Sequence, residues 1–220
     1  MSPTDRRQRH RASLRREILD AASQLFVEEG YRRVTMRRIA ARIEYSPTTI
    51  YLHFRDKNEL FQAVCDETFA QLAAKLERLG RSASDPLAQL REGLKTYVDF
   101  GLAHPNQYTV TFLTPNPAPE RTPFEGSAGS RAFDWLRQGV LACVGHGDIQ
   151  TAEAEATAQA LWAAVHGLTA LLITMPGFPF ADPGTLVDHL VDTLIAGLRT
   201  PSAAPRAAVA PQSKKWDFFN

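Results

Sequence analysis

Residues 46–54 read SPTTIYLHF, a short polar and aromatic stretch that decides the fold. Ser46 followed by Pro47 is typical of the start of a helix. A serine at the N-cap accepts a hydrogen bond from the first turn, and proline at the next position lacks only an N–H that would have no partner there. The stretch therefore predicts a helix of one or two turns, which is too short to form a core by itself.

This predicted helix has one apolar face and one polar face. At about 100° per residue, Ile50 and Phe54 lie on the same side and can anchor the helix on its neighbours. Thr48 and Leu52 point almost directly away from that side. The flanks carry a hydroxyl, a phenol and an imidazole, from Thr49, Tyr51 and His53.

The preceding helix is short and basic. Thr35 is suited to cap it, and its arginines Arg37, Arg38 and Arg42 lie outside its apolar positions. Because only two residues separate Ile43 from Ser46, we expect a helix–turn–helix, in which the second helix enters the major groove of DNA.

The side chains of this motif suit two kinds of DNA contact. Threonine hydroxyls can hydrogen-bond base edges, and an outward Leu52 can touch a thymine methyl group. Tyr51, His53 and the arginines suit phosphates, which position a protein without specifying sequence. The alternative is a helical hairpin whose polar side chains are merely solvated.

The distribution of charge favours DNA. The net charge is only +1, but residues 1–60 contain 13 Lys/Arg against 8 Asp/Glu, whereas the other 160 residues contain 12 against 16. A basic module attached to an acidic body indicates that the first part alone faces a polyanion.

Residues 35–60, TMRRIAARIEYSPTTIYLHFRDKNEL, resemble the DNA-binding segment of the tetracycline-repressor (TetR) family of transcription regulators. Residues 21–35, AASQLFVEEGYRRVT, are similar to the first helix of that family and its link into the second. Residues 159–172, QALWAAVHGLTALL, resemble a subgroup with a Trp…His-Gly signature. The landmarks at family spacing are Thr35, Ile39, Ala40, Ser46, Ile50, Tyr51, Phe54, Lys57 and Leu60.

The resemblance implies a role for individual residues. Thr35, Tyr51 and Lys57 would contact phosphates, Thr48 and Thr49 would face bases, and His53 would lie at the edge of the DNA backbone. The expected DNA-binding residues are therefore Thr35, Arg37, Arg38, Ser46, Pro47, Thr48, Thr49, Tyr51, Leu52, His53 and Lys57.

One residue of the motif departs from the family pattern. Many relatives have glycine where this chain has Glu44. If the turn needs a positive φ there, a residue with a side chain costs about 1 kcal/mol.

Only helical signals occur along the rest of the chain, so the expected class is all-α, with a three-helix DNA-binding domain and a larger helical domain. Residues 1–12 have no apolar periodicity and are expected to form a flexible basic arm, which either reaches a minor groove or acts as an electrostatic tether. The helix–turn–helix domain would span residues 13–60, a regulatory and dimerisation domain 61–200, and a mobile tail 201–220.

The last two long helices are the expected dimer interface. A single helix in a groove reads only a short site, whereas a two-fold dimer reads a pseudo-palindrome. These helices are more apolar than a surface helix, although burial within one subunit would explain that equally. The candidates are Ala156, Ala163, Gly167, Ala170, Leu186, Leu190, Leu194 and Leu198.

The resemblance also implies a ligand pocket in the larger domain, whose occupancy alters the spacing of the two DNA-reading helices. An aromatic lining suits a small apolar effector. Core packing is at least as good an explanation for every candidate, and His166 is best explained as a core histidine. The candidates are Phe100, Tyr108, Phe112, Trp135, Trp162, His166 and Met175.

Several classes of protein are disfavoured by the motifs that are missing. The sequence has no glycine-rich phosphate loop, GxSxG, HExxH or paired catalytic carboxylates, so we expect no enzyme activity. It also has no clustered histidines, so we expect no bound metal or cofactor. The apolar run 160–175 is interpreted as too short for a membrane span, and no signal-peptide pattern follows the basic start, which predicts a cytoplasmic protein. Two alternatives stay open. One is a regulator controlled by a protein partner, with the terminal WDFFN as the docking element, and the other is an enzyme with an unannounced site. A filled helical core would favour the protein partner.

Overall fold

The computed structural model describes residues 3–80, 85–115 and 126–199, and no strand occurs in these ranges. The all-α class is confirmed. The predicted tail 201–220, with its WDFFN end, lies outside the described residues. The elements are α1 (Pro3–Glu29), α2 (Met36–Arg42), α3 (Pro47–Tyr51), α4 (Lys57–Leu79), α5 (Pro86–Ala103), α6 (Pro105–Tyr108), a π-helical turn (Thr109–Leu113), α7 (Ala128–His146), α8 (Ala154–Thr174) and α9 (Pro183–Arg199).

The first core lies between α1, α2, α3 and the start of α4. Its centre contains Ile18, Ile39 and Ile50, which are fully buried. Phe61 and Val64 from α4 belong to the same core, and so does Val110 from the π-helical turn. The core of the N-terminal domain therefore extends beyond residue 60 and includes a residue that lies far along the chain.

The second core lies between the C-terminal half of α4 and helices α5, α7, α8 and α9. Leu90, Leu94 and Val98 from α5 are buried against Val165 from α8 and Val191 from α9. Two ion pairs join α5 to α9: Arg91 pairs with Asp192, and Lys95 pairs with Asp188. These helices form one bundle that covers the amphipathic faces seen in the sequence.

The prediction of a flexible arm is wrong for residues 3–12, because these residues form the first turns of α1. The prediction took a missing apolar pattern as missing structure. Arginine, glutamine and alanine favour helices, and extending a helix that already exists needs no new nucleus. The N-terminal segment is therefore an exposed extension of helix α1.

Helix α8 corrects the expectation about membranes. The run 160–175 was interpreted as too short, but the helix spans 21 residues, Ala154–Thr174, and is by length and composition apolar enough to cross a membrane. Its inner side nevertheless packs inside the bundle. The buried residues are Ala158, Leu161, Val165 and Thr169.

Candidate nucleic-acid interface and internal cavity

Helix α3 is fixed by a cap at one end and by two buried side chains. The Thr49 backbone N–H donates to Ser46 Oγ at 3.2 Å. The hydroxyls of these two residues also lie 2.9 Å apart. Ile50 and Phe54 are buried against α1 and α2. A helix of five residues is thereby held rigidly enough to present its outer face.

That outer face is open. Leu52 is 72% exposed and Tyr51 is 53% exposed. Pro47 and Thr48 are also exposed, whereas Thr49 is half-buried with its hydroxyl against Ser46. Thr48 and Leu52 are therefore the outermost groups of α3, and Thr49 is partly engaged within the protein.

The turn between α2 and α3 places one residue in the left-handed region. Glu44 has φ +58°, a value that favours glycine over residues with a side chain. The next backbone N–H, from Tyr45, donates to the Ala40 carbonyl at 2.9 Å. The expected strain is thus present, and the turn keeps its geometry because this bond closes it.

Two of the three arginines of α2 are expected DNA contacts, Arg37 and Arg38, and they differ in their surroundings. Thr35 caps the helix by accepting from the Arg38 backbone N–H at 3.2 Å. The Arg38 side chain pairs with Glu29 of α1 at 2.6 Å. Arg37 is exposed and pairs with no acidic side chain in the described part of the chain. Of the two arginines, Arg37 is the one available to a phosphate.

The ammonium of Lys57, which the resemblance assigns to a phosphate, is hydrogen-bonded within the protein. Its ammonium donates to the carbonyl of Tyr31 at 2.7 Å and to that of Val34 at 2.9 Å, with Arg32 O at 3.4 Å. It also lies 4.3 Å from the centre of the Tyr31 ring. Because an ammonium has three donors, a phosphate contact would require one of these bonds to break. Through these bonds Lys57 connects the start of α4 to the segment between α1 and α2.

His53 lies beside a cationic part of α1. Arg15 lies over the ring of Phe54, 4.7 Å from its centre. Burial lowers the pKa of His53, and the charges of Arg11 and Arg15 lower it further, so the imidazole is neutral near pH 7. The sequence interpretation missed both arginines as neighbours of α3, although their i, i+4 spacing on α1 was visible.

A cavity of about 550 Å³ lies between α4, α5, α7 and α8. Three predicted pocket residues line it, Phe112, Trp135 and Trp162. The sequence interpretation missed most of the wall, which comes from several helices that meet only in the fold. The remaining lining residues are Phe69, Leu72, Leu76, Gly93, Leu94, Tyr97, Gly129, Ala132, Phe133, Leu136, Glu155, Gln159, Ala163 and Val165.

The other predicted pocket residues lie elsewhere. Phe100 and Tyr108 are buried in the core rather than on the wall. Met175 caps the end of α8 and is 45% exposed. His166 lies behind the wall, against Tyr108. Core packing thus explains Phe100 and Tyr108.

A chain of hydrogen bonds runs from the cavity wall into the core. Trp162 Nε1 donates to Tyr97 OH at 3.2 Å, and Tyr97 OH lies 3.1 Å from Tyr108 OH. Tyr108 OH lies 2.6 Å from His166 Nδ1. Burial lowers the pKa of His166, which favours a neutral imidazole bonded to the Tyr108 hydroxyl. These polar atoms satisfy one another, and the cavity is left with an apolar wall.

Polar side chains occur at one side of the cavity. Glu155 accepts from Gln159 Nε2 at 3.1 Å and lies 4.0 Å from Arg137. Both charged side chains are partly exposed to solvent. A molecule with a polar end could therefore leave that end here while its apolar part enters.

Gly93 makes room for Trp135. A Cβ built on this glycine would lie 2.1 Å from the indole ring. The indole thus occupies the space that any other residue would take. This is a close approach between two helices, which the sequence pattern of α5 alone could not predict.

The segment 105–113, α6 with the π-helical turn, contacts both cores. Gln107 donates to Asp20 of α1 at 3.0 Å, and Val110 is buried in the N-terminal core. Phe112 lines the cavity, two residues further on. We call residues 105–113 the junction segment, since it joins the cavity wall to the DNA-binding helices.

The predicted dimer residues lie partly on open surface. Ala156 and Ala163 are exposed and Ala163 also lines the cavity, while Gly167 and Ala170 are half-buried. A Cβ on Gly167 would meet nothing within 4 Å, and the neighbouring Leu171 is 45% exposed. The four leucines of α9 are half-buried beside its buried residues Val187, Val191 and Ile195: Leu186, Leu190, Leu194 and Leu198.

No group of three or more His, Cys, Asp or Glu side chains that could hold a metal occurs in the part of the chain that the structure describes. Cys65 and Cys143 are free thiols, and burial raises the pKa of each to about 11. Neither is therefore a nucleophile at neutral pH.

Comparison with known proteins assigns both parts of the chain. The family described as "Bacterial regulatory proteins, tetR family" matches residues 18–64, and "Tetracyclin repressor-like, C-terminal domain" matches residues 90–194. An HTH-type transcriptional repressor of Mycobacterium tuberculosis is 44% identical over 71 residues, 32% of this chain and 38% of that protein. The HTH-type transcriptional activator FasR of Mycolicibacterium smegmatis is 33% identical over 99 residues, 44% of this chain and 45% of that protein. The chain thus matches less than half the length of these relatives.

The fold is shared over most of the chain with a solved structure, the transcriptional regulator FadR of Bacillus subtilis in complex with stearoyl-CoA. The TM-score is 0.68 at 17% identity, over 82% of this chain and 97% of that one.

Proposed function

The chain belongs to the TetR family of transcription regulators, and we propose that it is a homodimeric repressor that binds a pseudo-palindromic operator and leaves it when a small apolar effector occupies the cavity. The observation that carries the proposal is the outer face of α3, where Thr48 and the 72% exposed Leu52 project from a capped, anchored helix. Such a face has no packing role in the subunit and fits the major groove.

On this proposal the contacts divide into two kinds. Thr48 and Leu52 specify sequence through base edges and a thymine methyl group. Thr35, Arg37 and Tyr51, all exposed beside α3, position the helix on phosphates. Lys57 contributes by holding the α1–α2 link in place rather than through a phosphate.

Dimerisation would use the outer side of α8 with the flank of α9. Gly167 faces open space, and the exposed Leu171 lies one turn further along the same helix. An apolar helix that is open on one side is expected to be covered by another surface. A second copy related by a two-fold axis would cover it and present two α3 helices to one operator.

The effector would be apolar in the part that enters the protein. The wall is mainly aromatic and aliphatic, and its main polar atoms are already paired within the Trp162–Tyr97–Tyr108–His166 chain. A polar end would rest near Glu155 and Gln159. FadR of Bacillus subtilis binds stearoyl-CoA, so molecules with an acyl chain are the first to test. A volume of about 550 Å³ is within the range of small-molecule pockets.

The junction segment supports a link between effector and DNA. Phe112 touches the cavity, and Val110 belongs to the core that carries α3. A molecule that displaces Phe112 would therefore change the packing under the DNA-binding helices.

Control by a protein partner is the second candidate. The cavity weighs against it, since a filled core would have favoured it. An enzyme is not proposed, because the relatives are regulators. The protein would act in the cytoplasm, where operator DNA is accessible.

The test is selection of bound sequences from random double-stranded DNA at fixed salt, with the mass of the complex measured alongside. We expect a two-fold motif and two chains per duplex, and we expect Thr48→Ala to change the selected bases. Arg37→Ala is the matched control, because it should weaken binding to all sequences without changing the motif. Sequence-independent binding by the unmodified protein would refute specific regulation, and a single chain on a half-site would refute the dimer.

Effector release is tested separately with the selected duplex. Long-chain acyl compounds are added to the complex, and the fraction of bound DNA is followed. Ala132→Trp, which places a large ring at the cavity wall from α7 and not from the proposed dimer helices, should abolish the response and leave DNA binding intact. Release that is unchanged in this variant would place the effector elsewhere.

A further inference from the structure

The sequence of α1 changes character along one face of the helix. Within the domain this face carries apolar residues that are buried, among them Leu14, Ile18 and Ala22. Continuing the same face towards the N-terminus gives Arg15, Arg11 and Arg7 at four-residue steps. At about 100° per residue these three guanidinium groups lie within about 80° of one another. The side of α1 that packs on the domain therefore becomes a cationic stripe where the helix projects beyond it.

This cationic stripe lies next to the C-terminal end of α3. The Arg15 guanidinium lies 4.7 Å from the centre of the Phe54 ring, directly after α3. Arg11 lies close enough to influence the pKa of His53. The stripe thus begins at the C-terminal end of the DNA-reading helix and continues along α1 away from it.

Arg15 lies over the Phe54 ring, whereas the other two arginines of the stripe have no competing ion pair that the structure describes. Arg7 and Arg11 are exposed, and neither pairs with an acidic side chain in residues 3–80, 85–115 and 126–199. Because a helix rises 1.5 Å per residue, the stripe is about 12 Å long, which corresponds to three or four base-pair steps.

We propose that Arg7, Arg11 and Arg15 bind phosphates of the DNA backbone just outside the base pairs that α3 reads. This deepens the proposed function and rests on it, since it extends the contact of each half-site into flanking DNA. It also replaces a flexible arm in the minor groove by a rigid helix on the backbone. The stripe adds affinity and salt dependence but no sequence preference, because phosphates carry no sequence information.

The test compares arginines on two sides of α1. Arg7→Ala and Arg11→Ala each remove one arginine of the stripe. Arg6→Ala is the matched control for Arg11→Ala, since Arg6 lies about 140° from Arg11 and its loss changes the net charge equally. Alanine is the best helix former, so the helix is retained. Circular dichroism and the melting temperature check that the three variants fold alike.

Binding is measured by fluorescence anisotropy over a salt series on three duplexes. Two carry the selected motif, one trimmed to its ends and one with flanks of about six base pairs, which exceed the stripe at 3.4 Å per base pair. The third has a scrambled sequence. On the long duplex, Arg11→Ala should lower the slope of log K against log salt by about 0.9 per subunit, or about 1.8 per dimer. Arg6→Ala should leave the slope unchanged, and the trimmed duplex should show a smaller effect.

Two results would contradict the proposal. If Arg6→Ala and Arg11→Ala lower the slope of log K against log salt equally, the attraction is diffuse. If Arg7→Ala and Arg11→Ala leave that slope unchanged, these arginines do not bind phosphates. The proposed function fails differently, through the absence of a selected motif in the unmodified protein. In that case the scrambled duplex still decides the stripe, because phosphate contacts do not depend on sequence.

Discussion

Replacing Lys57 by methionine separates two roles that a basic residue at the start of α4 can have. Methionine keeps the apolar stem and removes all three donors. The carbonyls of Tyr31 and Val34, which accept at 2.7 and 2.9 Å and are partly buried, then lose their partner. The link between α1 and α2 is no longer tied to α4.

The expected loss follows from these two short bonds. A hydrogen bond to a charged group contributes about 1.5–3 kcal/mol, and water can replace part of it where the acceptor is only partly buried, so we expect Lys57→Met to lower the free energy of unfolding by about 2 kcal/mol. For a chain of this size that corresponds to a fall in melting temperature of about 4–8 °C.

The assay pairs unfolding in urea with the salt dependence of DNA binding. Lys57→Met should lose stability while the slope of log K against log salt stays unchanged. Arg37→Met is the matched control with the opposite pattern, because this exposed side chain has no ion pair within the described part of the chain. If Lys57→Met keeps its stability and its slope falls by about 0.9 per subunit, the ammonium contacts a phosphate and the role inferred from its carbonyl bonds is wrong.

Three further predictions concern the turn, the cavity and the buried histidine. Glu44→Gly should raise the free energy of unfolding by about 0.5–1 kcal/mol, because relief of the φ +58° strain outweighs the extra entropy of glycine in the unfolded chain. Gly93→Ala should lower it by about 1–3 kcal/mol and shift the tryptophan fluorescence, because the new methyl group collides with Trp135. Burial lowers the pKa of His166, so the unfolded chain takes up a proton first: stability should fall as pH drops below about 6.5 and level off below the folded pKa. His166→Asn should flatten that part of the pH profile.

Each of these predictions has a control or an outcome that contradicts it. Glu44→Val should destabilise, and equal stability of the glycine and valine variants would mean that the turn relaxes. Gly145→Ala is the control for Gly93, because its Cβ meets nothing within 4 Å in α7, and it should be neutral or stabilising. A His166→Asn protein that loses stability below pH 6.5 as steeply as the unmodified one would assign the proton to another group, and His53→Asn would then be examined.

The local features of the DNA-binding part could be predicted because sequence neighbours make them. Ser46 caps a helix whose own next turn supplies the donor, and Ile50 and Phe54 share a face by spacing alone. The strained residue at Glu44 was also foreseeable, but only from the family resemblance, in which glycine is usual at this position of the turn. The features that could not be predicted join distant positions. Lys57 bonds residues more than twenty positions earlier, and nothing in the local pattern indicates which carbonyls its ammonium will reach.

The cavity shows the same limit. Trp135 and Trp162 could be proposed as lining residues because large aromatic side chains on helices must pack somewhere. Tyr97 and Gly93 were missed, since their role depends on how α5 sits against α7 and α8. The error about residues 3–12 had another origin. An exposed helix leaves no apolar pattern, so only propensity could have indicated it.

The buried position of Val110 has a consequence for engineering. A residue from the C-terminal part fills the core of the DNA-binding part. A fragment ending at residue 60 would therefore lack Phe61, Val64 and Val110 and would leave a cavity in that core. Chimaeras that join this DNA-binding part to a different C-terminal domain should therefore keep residues 105–113 with the DNA-binding part. Exchanges made at the start of α4 would combine a DNA-binding core with residues that did not evolve to pack against it.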